Sequence, residues 1–263
     1  MNSFRSNLKD FREIFDRGIP LRYIAEPLVS FDAQRDAKDI RKIMENKEFD
    51  VVGLREDGVV TGIVIGEELK SGMIGNYKKE FNKDSLLYDW QPILSVLESL
   101  RDCTELFVLA MGEVSGIIMR ADIEKAPVRM WYFGVLSLLE MQFLRIIRIL
   151  YPNNEWVSLL NEKRLEKAER LLSARKSRNE QIDLADCLQL SDKHRIVIKN
   201  NELRKALGLG SFPEANGFLK KIEGLRNDLA HSQDFVSGRW PELVELTTKI
   251  EELLIKCESY RKD

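Results

Sequence analysis

The chain has 263 residues, enough for two domains of ordinary size. Hydrophobic residues make up 44% and charged residues 32%, a globular balance that excludes extended disorder. With 41 basic residues against 43 acidic the net charge is −2, which excludes bulk attraction to nucleic acid and leaves any such contact to a local patch or a subunit interface.

In chain order, residues 4–15 read as a short amphipathic helix that Gly18-Ile19-Pro20 ends. Residues 28–31 read as a strand, and 32–46 as a helix with Ala37, Ile40 and Ile43 on its apolar side. Strands at 49–54 and 59–65 flank the turn Arg55-Glu56-Asp57-Gly58, and a short helix starts at Glu67. Residues 71–85 read as a loop. The plan then recurs: helix 91–100, strand 106–110, turn 111–113, strand 114–119. An offset of 54 residues carries Gly58 onto Gly112, Gly62 onto Gly116, Glu68 onto Asp122, and Ile40 and Ile43 onto Leu94 and Leu97. Two glycines, an acid and a helix in register predict an internal duplication.

From Ala126 the pattern is wholly helical. Residues 128–151 are strongly apolar, but Glu140, Arg145 and Arg148 interrupt them, so they read as a core helix and not a membrane span. Residues 155–178 read as a charged helix, 183–188 and 191–199 as shorter pieces, and 202–207 as one or two turns ended by Gly208. A helix then opens on Ser211, Pro213 and Glu214, a capping box with proline in the first turn. Its apolar stripe is Phe218, Ile222, Leu225 and Leu229; Glu223, Arg226, Asn227, Ala230 and His231 fall opposite. A last helix covers 241–260. Cys103, Cys187 and Cys257, widely spaced and odd in number, predict reduced thiols in a cytoplasmic protein, and no zinc-ligand spacing is present.

The duplicated unit, closing on G-I-V-I-G-E-E and G-I-I-M-R-A-D, resembles a tandem pair of CBS domains over residues 16–125 (repeats about 16–70 and 85–125). The resemblance implies two small packed sheets and an adenine nucleotide as regulatory ligand, its ribose held by Asp122 and Glu68. The hydroxyl positions of the family pattern hold Ile65 and Met119 here, and acids are favoured in first helical turns with no ligand at all. The arginine, polar residue and histidine at Arg226, Asn227 and His231, four residues separating Arg226 from His231, resemble the signature of the HEPN family, helical domains found in many RNA-cleaving proteins. Four principal helices around it agree with that bundle over 126–263. The predicted class is therefore α+β: an N-terminal helix at 1–15, a duplicated CBS-type α/β module at 16–125, and an all-α HEPN-type bundle.

Histidine, with a reference pKa of about 6.5, is suited to proton transfer, and arginine's fork of donors to a phosphate in flight. The HEPN resemblance implies metal-independent RNA cleavage in a homodimer groove with Arg226 and His231 catalytic, no cofactor required, and the nucleotide regulating it. Asn227 is expected to orient His231 or the phosphate, Glu223 to hold Arg226, and Glu140 to lie near the groove and pair with Arg226 or with Arg145 of a neighbour. His194, beside Asp192 and Lys193 in a short polar segment, reads as surface. The alternative is a catalytically silent nucleotide-sensing adaptor that presents its helices to another protein. A toxin paired with an antitoxin, or phage defence, is the biological setting the resemblance implies.

Overall fold

The computed structural model describes residues 6–261. The chain is α+β and divides into two compact units: Glu13–Val128, and the described residues up to Arg12 together with those from Arg129 on. The dividing points fall inside two helices, α1 (Leu8–Gly18) and α4 (Ala126–Leu150). Residues 4 and 5, with which the predicted first helix opens, lie outside the described residues.

The unit Glu13–Val128 contains β1 (Glu26–Pro27), β2 (Ser30–Asp32), α2 (Ala37–Lys47), β3 (Val51–Glu56), β4 (Val59–Ile65), β5 (Leu86–Tyr88), α3 (Ser95–Ser99), β6 (Glu105–Ala110) and β7 (Glu113–Met119). They form two sheets, ordered β2-β3-β4 and β1-β7-β6-β5. In each a short strand runs parallel to the first arm of an antiparallel hairpin. The 54-residue offset holds residue by residue: Val51 pairs with Ile65 as Glu105 pairs with Met119, and the ladders slip after Leu54 and after Val108. Both hairpins turn through two positive-φ residues, Asp57-Gly58 and Met111-Gly112, which matches the twist of the flanking strands.

Gly62 and Gly116 are equivalent for a steric reason. A Cβ on Gly62 would stand 2.6 Å from the Lys79 carbonyl oxygen, and one on Gly116 would stand 3.2 Å from that of Glu26. Each glycine thus admits a chain segment from outside its own hairpin: β1 of the first repeat pairs with β7, and Lys79, from the segment between the repeats, bridges to Ile63. One core, with Ile40, Met44, Val52, Leu54 and Val64, lies beneath α2. Leu28, Ile63, Phe107 and Val114 form a second, drawn from both sheets.

Several boundaries differ from expectation. The helix predicted from Asp32 starts at Ala37, because Asp36 accepts hydrogen bonds from the amides of Lys38 and Asp39 and caps it there. In place of helices after the glycines there are single 3-10 turns, Gly66–Glu68 and Arg120–Glu124. The helix predicted over 91–100 is reduced to α3, and β5 follows the predicted loop as an unforeseen strand.

The second unit holds α4, α5 (Glu162–Lys176), α6 (Leu190–Lys199), α7 (Asn201–Leu207), α8 (Phe212–Ala230) and α9 (Trp240–Ser259). The helix predicted over 155–178 is two pieces, since Leu160 is extended and Asn161 caps α5 through the Arg164 amide. The first turns of α1 belong here: Phe11 stacks on Trp131 of α4 at 5.2 Å, and Arg12 pairs with Glu251 of α9 at 2.6 Å. Gly134 permits that approach, for a Cβ there would overlap the Phe11 ring at 2.0 Å. Cys187 and Cys257 are buried free thiols, and burial pushes the Cys257 pKa up to about 12. No helix among the described residues is long and apolar enough to cross a membrane.

Candidate functional site

Helix α8 carries the Arg226-to-His231 segment, and local chemistry fixes where it starts. Ser211 accepts from the Glu214 amide while the Glu214 carboxylate accepts from the Ser211 amide, and proline follows the cap. These bonds hold the Glu214 carboxyl below its ordinary pKa. Ala215, Leu219, Ile222, Leu225 and Leu229 are the buried face; Phe218, expected there, is half-buried because Leu219 takes the inward position. Arg226, Asn227 and His231 are exposed, and His231 closes the helix with its amide on the Asn227 carbonyl at 3.0 Å.

Three helices enclose a cavity of about 300 Å³. Helix α4 contributes Glu140, the start of α6 contributes Gln189, Leu190 and Ser191, and α8 contributes Glu223, Arg226 and Asn227. Four of the residues singled out from sequence therefore meet in one place. His231 does not line that cavity; it stands at the exposed end of the same helix.

Behind this lining stand three consecutive residues that look like surface in the sequence, two of which hold the cavity's acids in place. Asp192, Lys193 and His194 are all buried, at 3%, 5% and 2% exposure. Each is paired to a different helix. Asp192 caps α6 through the Gln189 amide and binds Arg164 of α5. Lys193 donates to Glu140 of α4 at 2.7 Å, and His194 Nδ1 meets Glu223 of α8 at 2.8 Å, its ring edge-on to Phe143. A buried charge without a partner costs several kcal/mol, roughly 3–5 when one member of a pair is lost, so these contacts fix how α6 sits among its neighbours.

Four expectations are corrected by this network. His194 is interior, because Glu223 supplies the polar partner that burial demands. Glu223 holds His194 and not Arg226, since the imidazole lies within 2.8 Å of its carboxylate. The bond to His194 holds the Glu223 carboxyl below its ordinary range. Within the chain Glu140 pairs with Lys193 and not with Arg226, while the Arg145 guanidinium bonds Gln142 and carbonyls at the end of α9. The Asn227 side chain accepts from Arg226 at 3.4 Å rather than orienting His231, so the guanidinium is the group it steadies. Arg226 makes no ion pair among the described residues.

The acids of the duplicated unit are already engaged. Asp122 is buried; one oxygen accepts from the Met119 amide at 2.7 Å and the other meets Lys125 at 2.9 Å. Exposed Glu68 pairs with Lys79. Asp122 thus serves the turn that follows β7, the role an acid takes there without a ligand. No group of three or more His, Cys, Asp or Glu among the described residues is arranged to hold a metal ion.

No protein-family model matches the sequence, and the search of curated proteins gives no match. Solved structures do. The CBS domain of a bacterial CNNM/CorC-family Mg2+ transporter in complex with ATP is 14% identical, covers 46% of this chain and 93% of its own, and gives a TM-score of 0.37. CBSX2 in complex with AMP is 15% identical over 43% of this chain and 98% of its own, also at 0.37. A CBS domain-containing protein of unknown function from Bacillus anthracis is 11% identical over 43% and 94%, at 0.37.

Proposed function

We propose that the chain is a metal-independent RNA endonuclease of the HEPN type that works as a homodimer, its duplicated CBS-type module taking an adenine nucleotide as regulator. The observation that carries this reading is Arg226: an exposed arginine free of any ion pair among the described residues, steadied by Asn227, at a cavity between α4, α6 and α8 and five residues before an exposed histidine. An arginine tied to a carboxylate would have to break that pair to meet a phosphate; this one does not.

His231 takes the proton of the attacking 2′-hydroxyl, the oxygen attacks the adjacent phosphorus, and the guanidinium of Arg226 balances the charge that gathers on the non-bridging oxygens. A second acid then protonates the leaving 5′-oxygen, which gives a 2′,3′-cyclic phosphate and a 5′-hydroxyl. The chain has two histidines, and His194 is buried against Phe143 and Glu223. One chain therefore offers one accessible imidazole, and two-imidazole catalysis calls for a second copy. Met130, Phe133 and Met141, exposed along α4 at helical spacing, are an apolar face that a second copy would cover. Asn227 acts as a positioning residue for Arg226, while Glu223 and Glu140 line the cavity.

A second reading is favoured by one observation in the duplicated unit. With Asp122 and Glu68 both paired and no hydroxyl at Ile65 or Met119, that unit is a structural or adaptor module, and a nucleotide would have to displace Lys125 to reach Asp122. A thermal-shift panel separates the two, because a ligand of the native state raises its stability.

The test of the nuclease is single-stranded RNA incubated with purified protein in excess EDTA. Cyclic-phosphate ends that vanish with His231→Ala support the reading; intact RNA, or full cleavage by that variant, defeats it.

A further inference from the structure

The cavity's lining is mismatched to a phosphate. Two of its side chains, Glu140 and Glu223, are carboxylates, and a phosphate placed among them would meet like charge. The bond to His194 holds the Glu223 carboxyl below its ordinary pKa. The other imidazole nitrogen, Nε2, is buried without a partner. The ring therefore meets the acid through Nδ1, on one carboxylate oxygen. In the same way Lys193 fixes one oxygen of Glu140. Each acid thus has one oxygen anchored from behind and acceptor capacity left over. The cavity asks for a ligand rich in donors.

We infer that the cavity between α4, α6 and α8 is a base-reading pocket for guanine, with Glu223 and Glu140 accepting from its imino and amino groups. This rests on the reading of the protein as an RNA-binding nuclease and adds its specificity. At about 300 Å³ the cavity is at the small end of ligand sites, roughly 300–1,000 Å³, which suits one nucleobase rather than a longer ligand. Guanine is the RNA base whose pairing edge carries adjacent imino and amino donors. Adenine and cytosine offer an amino group next to an acceptor, and uracil an imino group between two carbonyls. The guanine carbonyl is also served. Ser191 already accepts from Arg164 at 2.8 Å, so its own hydroxyl proton is left to donate. Gln189 and Asn227, whose oxygens accept from Lys167 and Arg226, add amide N–H donors for that carbonyl. Arg226, exposed at the opening, then meets the phosphate attached to the bound nucleoside, which joins the pocket to the cleavage site on α8.

The test is calorimetric titration of the full chain carrying His231→Ala, so that binding is measured whether or not the protein cuts RNA. The probes are 3′-GMP, 3′-IMP, 3′-AMP, 3′-CMP and 3′-UMP. Tightest binding of 3′-GMP is expected, with about a ten- to hundredfold loss for 3′-IMP, which lacks the amino group, and for 3′-GMP on Glu223→Gln. Glutamine can still accept from His194, so that variant keeps its packing, and its far-ultraviolet spectrum is recorded as a check. Gln189→Ala, at the exposed rim, gives an independent arm and should also weaken 3′-GMP selectively. Equal affinity for all five nucleotides, or equal loss for all of them in both variants, would overturn the pocket. RNA cleavage without base preference would then leave the nuclease standing alone, whereas selective guanine binding by a protein that never cuts RNA would remove the nuclease and keep the pocket.

Discussion

Removing Glu140 should cost far more stability than removing its partner Lys193. The two side chains form a 2.7 Å ion pair, but they are unequally buried: the lysine side chain is 6% exposed and the glutamate 34%. Glu140→Gln strands an ammonium in the interior. Breaking a fully buried pair costs about 3–5 kcal/mol, and the water that reaches Glu140 trims this to about 2–3 kcal/mol. Lys193→Met leaves a carboxylate that solvent already touches and fills the vacated space, so the loss is about 1 kcal/mol or less. The double variant should lie close to Lys193→Met alone, a coupling of about 2–3 kcal/mol. Urea unfolding followed by tryptophan fluorescence reads the correct unit, since Trp131, Trp156 and Trp240 lie there and Trp90 does not. Equal losses for the two single variants, or a neutral Glu140→Gln, would refute the asymmetry and with it the buried network around α6.

In the duplicated unit, Gly62→Ala drives a Cβ onto the Lys79 carbonyl at 2.6 Å and should destabilise by about 1–3 kcal/mol, more than Gly116→Ala, whose nearest contacts are 3.1 and 3.2 Å; the reverse order in thermal unfolding would count against the close chain approach at the two glycines. The folded-state pKa of Glu223 is depressed, so its bond to His194 adds stability above the unfolded carboxylate value of about 4.3 and loses it as pH falls through the lower folded value. Glu223→Gln should therefore differ most from wild type near neutral pH and converge with it in acid; a constant gap down to acid pH would contradict this. Arg226→Lys keeps the charge and loses the fork of donors, so the cleavage rate should fall by about 10²-fold with folding unchanged, and a rate near wild type would mean that a point charge suffices.

Much of the architecture could be read from periodicity. The offset of 54 residues survives in the strand pairing, in the ladder slips and in the positive φ of Asp57 and Met111, because hairpins are local and their turns need particular residues. The helix through Arg226 was legible for the same reason: its cap and its stripe lie within its own sequence. Strand β5 was not, since three residues become a strand only by lying parallel to β6 about twenty positions later. The layer behind the cavity was hidden most completely. Three polar residues in a row, Asp192 to His194, imply solvent until Arg164, Glu140 and Glu223 arrive from other helices, 28, 53 and 29 positions away. A signal was present in the apolar residues Ile196, Val197 and Ile198, which leave a short helix little exposed face. Both acids line the cavity with Arg226, yet within the chain each is taken by a buried partner whose need is the stronger.

Chain mixing tests the central claim most directly, that two copies each lend an imidazole to one site. His231→Ala protein is titrated into wild type at fixed total concentration, the copies are allowed to exchange, and RNA cleavage in EDTA is measured against the wild-type fraction. A fall with the square of that fraction is the predicted result, because a mixed pair has one histidine where two are needed. A strictly linear fall, each wild-type chain cutting regardless of its neighbour, would contradict the account.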